Sequence, residues 1–171
     1  MSRKYKKSFD NKIVLDNKNF QKILNFYLFE CPVDNSSYRG LKFRDYGWRK
    51  SPAFSKLKNK MLKAWVAGNL KKNYYPCKKD ELKKKFELVN DILPCEEYCV
   101  FLKYDESTVM QSLYSAIRNA FAHGSFRVSK YNKKRMYYFQ NYKGYKKAEI
   151  ILSEETLVAW IKIIKEGYNI S

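Results

Sequence analysis

A chain of 171 residues, 45% of them apolar, carries enough material for one core, and a single domain over residues 1–171 is expected. Thirty-five lysines and arginines oppose seventeen acids, a formal charge of +18. A surface so cationic gathers polyanions, because each phosphate it neutralises releases a condensed counterion. No apolar run approaches the ~20 residues of a membrane-spanning helix. The N-terminal "MSRKYKKSFDNK" is basic with no apolar stretch behind it, so neither a membrane anchor nor a secretory leader is expected. Cys31, Cys77, Cys95 and Cys99 then read as free thiols of a soluble, cytoplasmic protein. The charge has a second reading, a solubilising lysine coat, and alone it says nothing of chemistry.

Residues 1–15 read as a loosely ordered basic arm bearing Arg3, Lys4, Lys6, Lys7 and Lys12. A first helix fits from Asp16, with Phe20, Ile23, Leu24, Tyr27 and Leu28 on one face, and stops before Pro32. The stretch "PVDNSSYRGLKFRDYGWRKSP" has turn residues and no sustained period, and reads as a loop. A second helix starts near Pro52, with Phe54, Leu57, Met61, Leu62 and Trp65 as its stripe, and frays at Gly68. The spacing of Leu82, Phe86, Val89 and Leu93 predicts a third helix over 79–93, closed by Pro94.

A fourth helix is predicted from Asp105 to His123. Stepping ~100° per residue collects Val109, Met110, Leu113, Ala116, Ile117, Ala120 and Phe121 on one arc. The opposite arc carries Gln111, Ser115, Arg118, Asn119 and His123. Acidic Asp105 and Glu106 at the start and Gly124 past the end suit the helix dipole and its cap. Beyond it the period changes to two. "SFRVSKY", "RMYYFQN" and "YKKAEIIL" alternate as strands, separated by "NKK" and "YKGY", so residues 125–152 read as a small antiparallel hairpin or meander. A last helix starts behind Ser153, with Glu154 and Glu155 in its first turn and Leu157, Trp160, Ile161 and Ile164 inward. The expected fold is mainly α, an antiparallel bundle of four to five helices with the β-like insertion before the last one.

The sequence has no glycine-rich phosphate loop, no Gly-x-Ser-x-Gly elbow and no His/carboxylate cluster at metal-ligand spacing. A two-metal nuclease needs several convergent carboxylates, and acids here are sparse. Cys95 and Cys99 could join Cys31 and Cys77 on zinc, but "CEEYC" lacks the C-x2-C spacing and turn glycines of such sites. No metal or cofactor is expected.

His123 is the only histidine. A lone helical histidine is more often structural than catalytic, but this one lies on the polar arc, away from the predicted core. Asn119 sits one turn behind it, within reach to orient the ring. Arg118 lies on the same side, ~140° around an ideal helix from His123.

"RNAFAHG" resembles the signature of the HEPN superfamily, an Arg, four to six residues and a His, often with a polar residue after the Arg. Arg118, Asn119 and His123 match all three positions, and the "AHGSF" continuation and closing "LSEETLVAWIKII" helix are similar to HEPN domains of toxin and phage-defence systems. The resemblance implies a homodimeric, metal-independent endoribonuclease with two such motifs facing each other across the dimer cleft. RNA is cut without metal when a base takes the 2′-OH proton, that oxygen attacks phosphorus, and an acid protonates the leaving 5′-oxygen. One histidine per chain cannot easily serve as both base and acid, whereas two chains can. His123 is then base in one subunit and acid in the other, Arg118 the phosphate clamp and Asn119 the orienter.

Ser115, on the same arc, is a secondary candidate for RNA contact. So are Arg127, Lys130, Tyr131, Lys133, Lys134 and Arg135, in a stretch (126–147) where cations alternate with aromatics and no acid occurs. The aromatics have a plainer reading, as the packed side of a sheet. Expected partners are RNA, single-stranded or structured and including tRNA, a second copy of the chain, and a cognate antitoxin or regulator. The alternative is a non-catalytic HEPN-like RNA-binding or regulatory module.

Overall fold

The computed structural model describes residues 15–33, 40–49, 51–64, 73–131 and 133–168. The basic arm before Leu15, together with Trp65 and Gly68 of the second predicted helix, lies outside the described residues.

Helix α1 (Lys18–Asn25) begins where the Asn17 carboxamide accepts the Phe20 N–H at 2.8 Å, and it buries Phe20 and Ile23. It widens into a π-helical turn, Phe26–Glu30, that buries Phe26 and Tyr27. A 3-10 turn (Phe43–Tyr46) ends at Gly47, whose φ of 84° suits glycine. Helix α2 (Ser51–Lys63) buries Ala53, Leu57 and Met61. Strand β1 (Tyr74–Cys77), helix α3 (Leu82–Val89) and strand β2 (Tyr98–Leu102) follow.

Helix α4 (Val109–Ala122) opens with a reciprocal cap: Thr108 Oγ1 accepts the Gln111 N–H, and Gln111 Oε1 accepts the Thr108 N–H. The helix therefore starts at Val109, four residues later than its acidic flank suggests. Strands β3 (Phe126–Tyr131), β4 (Lys134–Lys143) and β5 (Tyr145–Ser153) lead into helix α5 (Glu154–Glu166), capped by Ser153.

The five strands form one sheet in the order β1-β2-β5-β4-β3, parallel between β1 and β2 and antiparallel elsewhere. On one face Cys99, Phe101, Tyr137, Phe139, Ile150 and Leu152 meet Phe20, Tyr27, Tyr114, Ile117, Trp160 and Ile161 of the helices in the main core. On the other, Tyr98, Val100, Met136 and Ile151 pack under Leu82 and Val89 of α3.

The expectation of a mainly α bundle with a small hairpin is therefore overturned. The protein has an α/β fold, with five helices and a five-stranded mixed sheet among its described residues. The three strands expected over 125–152 are present, but they are part of a central layer. The unforeseen strand β2 lies between β1 and β5, with Tyr98 to Phe101 all buried. Helices cover both faces of the sheet there, so "YCVFL" is apolar throughout and lacks the two-residue alternation that would have revealed it.

Candidate functional site

The buried arc of α4, from Met110 to Phe121, packs on the π-helical turn and on β2, β4 and β5. That packing leaves one outward stripe, with Gln111, Ser115, Arg118 and Asn119 half-buried and His123 exposed. Arg118 Nη1 donates to Asn119 Oδ1 at 3.1 Å, which fixes the guanidinium along the helix. Arg118 Nε is buried with no hydrogen-bond partner among the described residues. The guanidinium also acts on the Cys31 thiol. Burial pushes that thiol well above its ordinary pKa, and the Arg118 charge pulls against the rise.

His123 is the residue at which α4 stops. Its φ of −98° and ψ of 5° leave the helix, while its N–H still bonds the Asn119 carbonyl at 3.0 Å. Gly124 follows at φ 64°, and the Gly124 and Ser125 N–H groups close on the Phe121 and Ala120 carbonyls at 3.2 and 2.8 Å. The chain then enters β3 two residues later. "AHGSF" is thus a helix stop read straight into a strand, and it presents the imidazole to solvent. The structure brings the Arg118 and Asn119 side chains into contact, while His123 is tied to Asn119 through the main chain.

Ser115 and Asn119 also line a small polar cleft where α4 crosses the sheet. Tyr104, Ser112, Asn141 and Lys147 complete it, with room (~10 Å³) for about one water molecule. Asn141 Nδ2 donates to the Ala116 carbonyl at 2.7 Å and holds the end of β4 against the helix. The sequence reading did not place Asn141, Lys147 or Tyr104 beside the motif.

The RNA-contact candidates separate. Arg127, Lys130, Lys133 and Lys134 are exposed, and Lys133 has φ 68° in the β3–β4 turn. Strand alternation puts Arg127 and Tyr131 on the α3 face and Lys130 on the α4 face, because Val128 belongs to the main core. Tyr131 is half-buried against the cluster under α3. Arg135 is engaged, its Nη1 lying 3.3 Å from Glu154 Oε2. Tyr137 and Phe139 are core residues, as the plainer reading of the aromatics has it, and Tyr142 is exposed.

A buried polar network lies under α3. The Glu149 carboxylate accepts from Tyr98 Oη, from Tyr138 Oη at 3.2 Å and from Lys146 Nζ. Burial raises the Glu149 pKa, but the hydrogen bonds and charge of Lys146, Tyr98 and Tyr138 outweigh it and hold the carboxyl below its ordinary value.

Among the described residues no three His, Cys, Asp or Glu side chains gather where they could hold a metal ion. Cys31, Cys77 and Cys99 are buried free thiols, and Cys95 is a half-buried one. No helix among the described residues is long and apolar enough to cross a membrane. Compared with protein-family models, curated proteins and solved structures, the chain matches none.

Proposed function

We propose that this chain is a metal-independent endoribonuclease of HEPN type in its chemistry, working in the cytoplasm as a homodimer, of the toxin or anti-phage kind. The observation that carries the reading is the outward stripe of α4. It holds a guanidinium set by Asn119 and, at the helix end, an exposed imidazole. Cation, orienting amide and proton carrier are the groups that 2′-OH attack on phosphorus requires. In this scheme His123 of one subunit takes the 2′-OH proton, and His123 of the partner subunit protonates the leaving 5′-oxygen. Arg118 stabilises the pentacoordinate phosphorus. Because residues near a two-fold axis meet their own copies, pairing of the α4 stripes supplies the second histidine. A cognate antitoxin or regulator would act by covering that stripe.

The test mixes wild-type and His123→Ala chains at constant total concentration and allows subunits to exchange. Activity on RNA in EDTA follows the square of the wild-type fraction if both histidines are needed, and products carry 2′,3′-cyclic or 3′-phosphate ends with 5′-hydroxyls. A linear dependence refutes the shared site, and 5′-phosphate products refute the 2′-OH route. A second reading, RNA binding without turnover, draws on the exposed cations Arg127, Lys130, Lys133 and Lys134 of the β3–β4 hairpin. Retained RNA binding without cleavage by the wild type selects it.

A further inference from the structure

Strand β5 slips against β4 between Asn141 and Tyr142: Asn141 stands opposite Ala148, yet Tyr142 stands opposite Lys146, so Lys147 has no partner in the register. An extra residue of this kind breaks the alternation and re-aims a side chain. Ala148 belongs to the α4-side core with Ile150 and Leu152, and Lys147 lines the α4 cleft beside it. Lys146 turns the other way, over the Phe86 ring of α3, and pairs with Glu149. Strict alternation from Ala148 would have sent Lys147 to α3 and Lys146 to α4. The bulge therefore delivers a cation to the cleft that Ser115 and Asn119 line.

That cleft contains no acid among its lining residues. The Lys147 ammonium lies 5.9 Å from the Tyr104 ring centre and 5.4 Å from that of Tyr145, and Tyr104 is exposed. Asn119 joins the cleft to the stripe, since it lines the one and accepts the Arg118 guanidinium in the other. The cleft holds no more than about one water, so a ligand meets it only at its mouth. There an ammonium for a phosphate and the exposed Tyr104 ring for an unstacked base match what a single strand presents.

We infer that Lys147 is a phosphate-binding residue for single-stranded RNA, holding a phosphate neighbouring the one cut at the α4 stripe, with Tyr104 stacking the base beside it. The inference rests on the ribonuclease reading for the nature of the ligand, and binding separates the two. The probe is a fluorescent, mixed-sequence, 2′-O-methyl single-stranded oligoribonucleotide, which cannot be cut by 2′-OH attack. Its affinity is measured by anisotropy across a salt series for wild type, Lys147→Met, Lys147→Arg and Lys84→Met. Lys84 is exposed on α3, across the sheet, and controls for loss of one charge.

Lys147→Met should weaken binding about tenfold, as loss of one charge-assisted contact does, and reduce the salt slope by about 0.7, one phosphate on a single strand. Lys147→Arg should restore most of both, and Lys84→Met should change neither. On cleavable RNA, Lys147→Met should raise KM more than it lowers kcat. Wild-type affinity and slope in Lys147→Met overturn the assignment, as does an equal loss in Lys84→Met. A wild type that binds but does not cut removes the ribonuclease reading and still tests Lys147; one that binds no RNA removes both.

Discussion

Replacing Arg135 by methionine separates two roles for the cations around β4. Sequence places Arg135 in the RNA-contact group, whereas the structure puts its guanidinium on Glu154. Glu154 is the first residue of α5, where the helix dipole favours a negative charge. Its carboxylate also accepts from Asn19 of α1 and Tyr137 of β4, each at 3.0 Å, so it fastens three elements at one point. The pair is shielded unequally, with side-chain exposures of 27% for Arg135 and 11% for Glu154. A hydrogen bond to a charged group is worth about 1.5–3 kcal/mol, and partial solvent screening lowers that to about 1–2. At about 2–4 °C per kcal/mol for a chain of this size, Arg135→Met should melt about 2–8 °C below wild type. The salt slope of RNA binding should stay as in wild type. Arg127→Met, at an exposed position, should leave melting unchanged. The assay is differential scanning calorimetry beside an anisotropy salt series. An unchanged melting temperature with a slope reduced by about 0.7 would make Arg135 a phosphate contact and refute the structural assignment.

Glu149, its carboxyl held below the ordinary value, stabilises the fold above the pH where an unfolded glutamate titrates, and that contribution fades as pH falls through its lowered folded pKa. Lys146→Met leaves burial less opposed, so it should unfold at higher pH than wild type in a circular-dichroism acid titration. The difference should vanish when both chains also carry Glu149→Gln, and its persistence would locate the effect elsewhere. Mild alkylation of the native protein should label Cys95 first, because Cys31, Cys77 and Cys99 are buried and burial pushes the Cys77 thiol up to about 11. Mass spectrometry that finds Cys31 or Cys99 modified first would contradict the packing.

Helix α4 was legible because it buries one side, and strands β3, β4 and β5 because the turn stretches "NKK" and "YKGY" divide three alternating runs. Met110, Leu113, Ile117 and Phe121 repeat with the helical period, and Tyr137 and Phe139 alternate on β4. Strands β1 and β2 hid for opposite reasons. Four-residue β1 contains Pro76, which demotes a strand, and lies at the sheet edge, where proline is tolerated. β2 is buried under helices on both faces and has no polar side to display a period. A reading that finds helices by period and strands by alternation therefore recovers β5, β4 and β3 and loses β2 together with the edge strand β1. That loss turned a layered α/β fold into an apparent helical bundle.

The motif itself was legible for a local reason. Arg118, Asn119 and His123 lie within six residues of one helix, so ideal geometry alone puts them on its outward stripe. Cations in the strands depend on register and partners, which sequence does not display. Arg135 counts as a free cation in the sequence, but it is paired with a glutamate nineteen residues on. Lys146 and Lys147 are adjacent and chemically identical, yet one bulge sends the first to Glu149 under α3 and the second to the cleft of Asn119. Net charge thus argues for a polyanion at the surface, but the sheet decides which ammonium can meet it beside Asn119. If RNA is the ligand, affinity should depend on that placement more than on the total of thirty-five bases.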